Sequence, residues 1–334
     1  MKFALDAMGG DHAPGAVVRG VLNVLSETPD STQFVLVGDK NIIERLLPSE
    51  YSHRISIHHA SQTVNMEDRA STIIKTKPDS SIVQGLKLVK EKQVEGFISS
   101  GNTGAVMTAS LLLLGRISGV KRPAIGAHIP TVTGGKIVCD VGTNPDAKAY
   151  HILQFAIMAA HYIKFIDGCE NPKIGLVNIG EEANKGSELY QETYKLLKKE
   201  LPNFIGNIEG RHILDCAADV LVCDGFVGNT VLKFGEGFID LFSSEIKTRI
   251  KQKWSYLFGA YLLKPVFLDI LRRYDYEEHG GTPLLGINGI SIICHGSSGP
   301  KAIKNSILVA EKCVNMNLLE NTRDGLAEHL GAVN

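Results

Sequence analysis

The stretch KFALDAMGGD, at residues 2–11, is a short apolar run that leads into an aspartate and a pair of glycines. Six further segments are short apolar runs, most of which end in an acid or amide beside glycine: QFVLVGD (33–39), GFISSGNTG (96–104), KIVCDVGTN (136–144), KIGLVNIGEE (173–182), DVLVCDGFVGN (219–229) and ISIICHGSSG (290–299). Continuous apolar runs of this length are typical of strands covered on both faces of a parallel sheet. The repeat therefore predicts such a sheet, with a polar loop after each strand.

Helical patterns lie between several of these strands. Ser81 and Gln84 have the spacing of a capping box, which predicts a helix from there to about Lys92. The segment 147–166 is apolar on nearly every face, so we expect a helix that is buried or lies at a subunit interface. The alternation of strands and helices predicts an α/β fold with a largely parallel sheet.

Length and composition limit the class of protein. A chain of 334 residues has room for one large domain or two smaller ones. Its 35 lysines and arginines nearly cancel its 36 acidic residues, which argues against a nucleic-acid-binding protein. The six cysteines show no CxxC pair or zinc spacing, and no secretory signal is recognisable. We therefore expect free thiols in the cytoplasm.

Polar residues follow the predicted strands at the end where α/β sheets bind ligands. They are Asp6, Gly9, Gly10, Asp11, Ser100, Asn102, Thr103, Asp140, Asn144, Asn178, Glu181, Asp224, Asn229, His295 and Ser297. Such residues also serve tight turns and cap helices, and for any single one that alternative stays open. Because so many loops carry the same chemistry, we expect a shared polar cleft on one edge of the sheet.

Three of these loops have the composition of phosphate-binding loops. SSGNTGA (99–105), HGSSGPKA (295–302) and DGFVGNT (224–230) combine glycines with hydroxyl and amide donors, and Lys301 or Lys233 follows the latter two. The chain has no GxGxxG, GxSxG or HExxH motif, and NIGEEANKGSE lacks the residue order of a Walker loop. The pattern predicts an enzyme that acts on a phosphate compound without a metal.

Seven motifs, taken in order, resemble one known family. They are ALDAMGGDHAP, SSGNTGA, RPAI (122–125), CDVGTNPD, LVNIGEEANKGSEL, CDGFVGNTVLK and GGTPLLGINGISIICHGSS. The sequence resembles the bacterial phosphate acyltransferases of phospholipid synthesis, which convert acyl-acyl carrier protein and inorganic phosphate to acyl phosphate. The resemblance implies one unit over residues 1–334 with a Rossmann-like α/β/α sandwich, similar to phosphate acetyltransferases and isocitrate/isopropylmalate dehydrogenases. It also implies a homodimer without a cofactor.

The residue inventory fits direct attack of phosphate on a thioester, which needs no protein nucleophile. We expect Lys185 and Asn229 to bind phosphate or the oxyanion, and His12 and His295 to carry protons. The expected binding residues are Asp6, Gly9, Gly10, Ser100, Gly101, Asn102, Thr103, Asp140, Asn144, Asp224, Gly296 and Ser297. A solvated lysine and structural histidines remain open alternatives.

Rival functions and a rival mechanism also remain. The chain could be a short-chain phosphotransacylase that uses coenzyme A, a metal- and NAD-dependent hydroxyacid dehydrogenase of the same fold, or a non-catalytic scaffold. Cys139, Cys223 and Cys294 end matching strands and would permit a covalent acyl-thioester, although thiols inside apolar strands are usually inert.

The segment 244–273 differs from the rest of the chain. It carries seven basic and two acidic residues, and its uncharged run from Trp254 to Leu263 is too short to span a membrane. We expect a protruding amphipathic excursion of two short helices that meet near Pro265. Its expected contacts with an anionic membrane are Trp254, Leu257, Phe258, Leu262, Val266 and Phe267.

Other uses of this segment stay open. It could be a dimer or core helix pair, or a docking site for the acidic carrier protein. The membrane interpretation predicts a cytoplasmic, peripherally bound enzyme that hands its product to the membrane glycerol-3-phosphate acyltransferase.

Overall fold

The computed structural model of the chain describes residues 1–51, 53–131, 134–273 and 276–330. Its strands are β1 (Lys2–Asp6), β2 (Gln33–Gly38), β3 (Ile55–His59), β4 (Gly96–Ser99), β5 (Ala124–Thr131), β6 (Gly134–Cys139), β7 (Ile174–Asn178), β8 (Phe204–Glu209), β9 (Val220–Val222), β10 (Thr282–Leu285) and β11 (Ile290–Ile293). Its α-helices are α1 (Gly15–Val24), α2 (Lys40–Glu44), α3 (Ile73–Thr76), α4 (Ser81–Lys90), α5 (Thr103–Leu114), α6 (Ala149–Tyr162), α7 (Glu188–Glu200), α8 (Gly225–Ile250), α9 (Trp254–Arg273), α10 (Tyr276–His279), α11 (Pro300–Asn315) and α12 (Leu318–Leu330).

The strands form one sheet in the order β3-β2-β1-β4-β11-β10-β5-β6-β9-β7-β8. Pairing is parallel from β3 to β11 and again from β6 to β8. The predicted α/β fold with a largely parallel sheet is therefore confirmed.

Strands β10 and β5 lie between the two parallel halves and reverse the sheet. The pairs β11–β10, β10–β5 and β5–β6 are all antiparallel. Three reversals leave the second half running opposite to the first, so β1, β4 and β11 end at one edge and β6, β9 and β7 at the other. The expectation that all polar loops leave one edge was wrong, because the β5–β6 hairpin turns the chain around.

Helices cover the sheet on both faces. Phe3 and Leu5 of β1 pack in a cluster with residues of α1 and α11, whereas Ala4, between them in sequence, packs with residues of α4 and α5. In the second half, Ile137 and Cys139 of β6 pack with residues of α6, α7 and α12, whereas Val138 packs in a separate cluster to which the start of α8 contributes. This layering explains why the strand sequences are continuously apolar instead of alternating.

The apolar segment at 147–166 forms α6 and a π-helical turn at Ile163–Asp167. Side chains such as Phe155, Met158 and Tyr162 are almost fully buried within the single chain. Burial inside the fold therefore accounts for the missing polar face of this helix, without a second subunit.

Two predicted helix details were wrong. The N-cap of α4 is Ser80, whose hydroxyl accepts from the Val83 N–H at 3.4 Å, and not Ser81. Pro265 lies inside the single helix α9, so the segment does not break into two short helices there. A proline removes one backbone donor and strains the preceding turn, yet helices can continue through it.

The helical excursion consists of α8 and α9, residues 225–273, and is longer than the predicted segment 244–273. It begins with α8, which runs for 26 residues from Gly225 and contacts α9. Most side chains along both helices are exposed. Among the described residues, no helix is both long and apolar enough to cross a membrane.

Candidate functional site

The first loop cluster consists of residues 6–12, 99–103 and 295–299, which follow β1, β4 and β11. The Asp11 N–H donates to the Gly296 carbonyl at 2.8 Å, and the Ser100 hydroxyl donates to the Gly9 carbonyl at 2.8 Å. Gly10 has φ +97°, and a Cβ there would lie 2.7 Å from the Ser100 hydroxyl. The three predicted loops are therefore in direct contact, and the glycine permits that contact.

Asp6 lies beneath this cluster. Its buried carboxylate accepts from the Ser99 hydroxyl at 2.7 Å and from the Met8 N–H at 3.1 Å. The Gly101 N–H donates to the same serine hydroxyl at 3.0 Å. Burial raises the pKa of Asp6 despite these donors. Asp6 thus links the carboxyl end of β1 to that of β4 through its hydrogen bond with Ser99.

Asn102 is engaged in structural contacts. Its side-chain oxygen caps α5 by accepting from the Ala105 N–H at 3.0 Å, and its amide donates to the carbonyls of Asn65 and Met66 at 3.2 and 3.0 Å. The capping alternative therefore describes this side chain, which has no amide hydrogen left for a phosphate.

Other members of the first cluster differ in exposure. Thr103 and His12 are exposed at its rim, and Ser297 is half-buried. The hydroxyl of Ser298 is buried and has no hydrogen-bond partner among the residues that the structure describes. The sequence pattern selected Ser297 in HGSSG and missed Ser298, because composition does not show which of two adjacent serines points inward.

The second loop cluster consists of residues 139–144, 178–187 and 224–229, which follow β6, β7 and β9. Asp140 accepts from the Asn144 N–H at 2.6 Å and from the Ile125 N–H at 3.1 Å, and burial raises its pKa. The Asn144 side-chain amide donates to the Pro123 carbonyl at 2.8 Å, and the Asn144 backbone carbonyl accepts from the Gly225 N–H at 2.9 Å. Asp140 and Asn144 thus hold the start of α8 in place.

Asp224 caps α8, as the alternative interpretation of strand-end acids anticipated. One carboxylate oxygen accepts from the N–H groups of Phe226 and Val227 at 2.9 and 3.0 Å. The other accepts from the Tyr190 hydroxyl at 2.6 Å. Burial and this carboxylate raise the pKa of Tyr190. No sequence motif pointed to Tyr190, which lies in the middle of α7.

Lys185 belongs to the same cluster through its loop. Its carbonyl accepts from the Asn178 amide at 3.2 Å, and Gly186, with φ +85°, lies against Asn178. The ammonium is 3.9 Å from the Glu182 carboxylate, and the side chain is 46% exposed. Lys185 can therefore reorient towards an anion without breaking a buried contact.

Helix α8 links the two clusters. Asn229, one turn into the helix, has its side chain beside Gly142. One turn further, the Lys233 ammonium lies 3.0 Å from His295 Nε2 and 2.7 Å from the Glu236 carboxylate. His295 Nδ1 lies 2.7 Å from the Ser297 hydroxyl. The structure thus places a lysine and a histidine together between the loop clusters, and no motif in the sequence indicated that Glu236 would join them.

The strand-end cysteines are poor nucleophiles. Cys139, Cys223 and Cys294 are all buried. Burial raises the pKa of all three thiols, to about 12 for Cys294, and nearby aspartates add to the effect at Cys139 and Cys223. Since the thiolate is the reactive form, this environment disfavours a covalent acyl-cysteine.

Comparison with known proteins gives a consistent relationship. Residues 1–321 match the family described as fatty acid synthesis protein. The phosphate acyltransferase of Desulfitobacterium hafniense (strain DSM 10664 / DCB-2) is 48% identical over 334 residues, covering 99% of each chain. That of Heliobacterium modesticaldum (strain ATCC 51547 / Ice1) is 48% identical over 322 residues, covering 96% of each.

Solved structures share the fold at low sequence identity. A phosphotransacetylase from Streptococcus pyogenes has a TM-score of 0.60 at 16% identity and covers 94% of each chain. A branched-chain phosphotransacylase from Enterococcus faecalis V583 has a TM-score of 0.57 at 15% identity, covering 93% of this chain and 99% of that one. On the family match and the full-length identity of its relatives, the chain belongs to the fatty acid synthesis protein family, among the phosphate acyltransferases.

Proposed function

We propose that the protein transfers an acyl group from acyl-acyl carrier protein to inorganic phosphate and releases acyl phosphate. The observation that carries the proposal is the full-length relationship to phosphate acyltransferases at 48% identity. The two loop clusters, linked by α8 with Lys233 and His295 between them, support it by offering cation, hydroxyl and amide groups.

The proposed chemistry needs no protein nucleophile. A phosphate oxygen attacks the thioester carbonyl, a carbon–oxygen bond forms, and collapse of the tetrahedral intermediate breaks the carbon–sulfur bond. The electron pair leaves with the carrier sulfur, which then takes a proton. Because a thiol has a pKa of about 8.5, it departs with little help from an acid.

Protein side chains would position the phosphate and stabilise the oxyanion. Lys233 and Lys185 supply positive charge, and Asn229 and Ser298 supply donors that the described contacts leave available. Holding two reactants in place can lower a barrier by ~7–11 kcal/mol, and one oxyanion donor contributes ~3–4 kcal/mol. His295 contacts both Lys233 and Ser297, and in this proposal it would return a proton to the departing thiolate.

The choice of acyl donor can be tested directly. Purified protein is mixed with radiolabelled phosphate and either long-chain acyl-acyl carrier protein or acetyl-CoA, and labelled acyl phosphate is separated by chromatography. We expect product from the carrier-bound thioester and little from acetyl-CoA. The reverse preference would identify a short-chain phosphotransacylase instead.

We also propose that the excursion contacts an anionic membrane. Trp254 is 82% exposed, and Phe267 is half-buried. The other predicted contacts are at least half exposed: Leu257, Phe258, Leu262 and Val266. Apolar side chains beside basic residues are what an interfacial anchor requires. The side chains of Arg272 and Arg273, which belong to the basic flank, lie outside the described residues.

A homodimer remains part of the proposal. Its support now comes from α8, where Phe226, Phe234 and Phe238 are each more than half exposed. An apolar face of this kind on a soluble chain commonly marks a contact surface. Acyl phosphate would pass to the membrane glycerol-3-phosphate acyltransferase as its consumer.

A further inference from the structure

The 295–299 loop is contacted by two elements, α8, with which the helical excursion begins, and α10, which follows it in the chain. On the outward helix α8, the Lys233 ammonium lies 3.0 Å from His295 Nε2. On the return segment α10, a Glu277 carboxylate oxygen accepts from the Gly299 N–H at 2.9 Å. The first and last residues of one candidate phosphate loop are therefore both fixed by elements that carry the exposed helices.

Glu277 meets a helix end that lacks a cap of its own. Helix α11 begins at Pro300, and its N-cap residue Gly299 has no side chain that could accept from the first N–H groups. A carboxylate from elsewhere in the chain is stabilised there by the helix dipole. A Cβ on Gly299 would lie 2.7 Å from the Glu277 carboxylate, so the close approach depends on this glycine.

Further contacts fix α10 on α11. The Glu277 carbonyl accepts from the Asn305 amide at 2.8 Å, and Glu278 pairs with Lys301 at 2.7 Å. The His279 ring stacks on His128 of β5 with centroids 5.2 Å apart and planes 2° from parallel. The return segment therefore has a defined position against both the sheet and α11.

We propose that Glu277 is a positioning residue that holds the 295–299 loop and couples its geometry to the seating of the helical excursion. Displacement of α10 would remove the Gly299 contact and release the loop that carries Ser297 and Ser298. The effect on catalysis rests on the proposed function of this loop in binding phosphate, whereas the effect on loop geometry does not.

The experiment uses four variants of the full chain. Glu277→Ala removes the acceptor, and Glu277→Asp keeps the charge but shortens the reach to Gly299. Glu277→Gln keeps an oxygen that can accept the same hydrogen bond. Glu320→Ala is the matched control, because it removes an exposed carboxylate on α12, outside α10 and outside the 295–303 peptide.

Two readouts separate positioning from general structural damage. Hydrogen exchange of peptides covering residues 295–303 should accelerate in the Ala and Asp variants and stay near wild type in the Gln variant and the control. The KM for phosphate should rise roughly tenfold or more in the same two variants, since small misplacements can cost up to about 100-fold. Melting temperature reports the fold, and Glu277→Asp carries the test if Glu277→Ala fails to fold.

Unchanged exchange at 295–303 in both Ala and Asp variants would overturn the proposal. So would equal effects of Glu320→Ala and Glu277→Ala. If the wild type makes no acyl phosphate at all, the proposed function fails, but the exchange data still decide whether Glu277 holds the loop.

Discussion

Asn229 and Lys185 are exposed side chains of the second loop cluster, and both can donate to an anion in the proposed site. Neither is buried, so their removal should leave the core intact. We expect Asn229→Ala and Lys185→Ala each to lower kcat by about 100-fold or more, as expected for a lost transition-state donor. Melting temperatures should change little.

Lys195→Ala is the matched control for the lysine variant, because Lys195 is an exposed lysine on α7, outside both loop clusters. Near-normal turnover in both site variants would remove Asn229 and Lys185 from the mechanism. An equal loss in the control would point to a non-specific effect of removing positive charge.

The strand-end thiols give a second test at the level of single residues. Because burial raises the pKa of Cys294 to about 12, this thiol is protonated at neutral pH. We expect Cys139→Ser, Cys223→Ser and Cys294→Ser to retain most of the turnover of the wild type. Complete loss in one folded variant would revive the covalent acyl-thioester route.

Histidine burial predicts how stability depends on pH. Burial lowers the pKa of His128 below 6.5, and its Nδ1 has no hydrogen-bond partner among the described residues. Asp167 opposes the shift, while His279 and Lys312 add to it. The unfolded chain then binds more protons below about pH 6.5, so this residue's contribution to stability is lost as the pH falls.

The measurement is the free energy of unfolding in denaturant between pH 7 and 5.5. We expect it to fall less in His128→Phe, which keeps a ring against His279, than in the wild type. Parallel curves for the two proteins would show that His128 does not titrate in this range.

At the scale of elements, the sequence predicted most strands but not their directions. Apolar runs such as 2–6 and 33–38 identify strands because both faces are buried, whatever their direction. The reversal at β5 and β10 depends on which strands pair, and strand pairing is determined by tertiary contacts that the sequence of a single strand does not show. Pro283 and the short TPLL run made β10 especially hard to recognise.

The candidate site could also be predicted only in part, because the sequence shows local composition but not contacts between elements. Glycine-rich strand ends identified the loops, since their composition is local. Tyr190 and Glu236 were missed because each contacts a residue on another element, and Ser298 because composition does not show which of two adjacent serines is buried. Conversely, Asn102 and Asp224 have the composition of ligand-binding residues but serve as caps.

The exposed helix α9 makes a prediction about membrane binding. Leu257 and Val266 are half exposed, so replacing both with glutamate should not disturb the core. We expect the double variant to lose binding to anionic vesicles in a flotation assay, because apolar insertion and lipid attraction are both weakened. Its turnover with soluble substrate should survive.

Gln252→Glu with Ser255→Glu is the charge-matched control, since both residues are exposed and polar. Retained binding in the control and loss in the test variant would assign the effect to apolar contact. Loss of fold or of self-association in the test variant would make α9 structural and refute the membrane proposal.

At the scale of the whole molecule, light scattering tests the proposed dimer. We expect a mass of twice 36.2 kDa, about 72 kDa, at micromolar concentration. The reason is the apolar surface of α8, which a second copy would cover. A monomer mass at this concentration would contradict the dimer and leave that surface to another partner.

Metal dependence is a second property of the whole molecule. The described residues contain no group of three or more His, Cys, Asp or Glu side chains that could hold a metal ion. We expect turnover to be unchanged after dialysis against EDTA. Activity that disappeared and returned with Mg²⁺ would require a different account of phosphate binding.

Release of the carrier thiol tests the central claim most directly, because that claim makes phosphate itself the nucleophile. Enzyme and acyl-acyl carrier protein are mixed in single turnover with and without phosphate, and free thiol and acyl phosphate are both measured. We predict no rapid thiol release without phosphate, and equal amounts of thiol and acyl phosphate when it is present. A burst of thiol in the absence of phosphate, together with an acylated protein in the mass spectrum, would contradict direct attack.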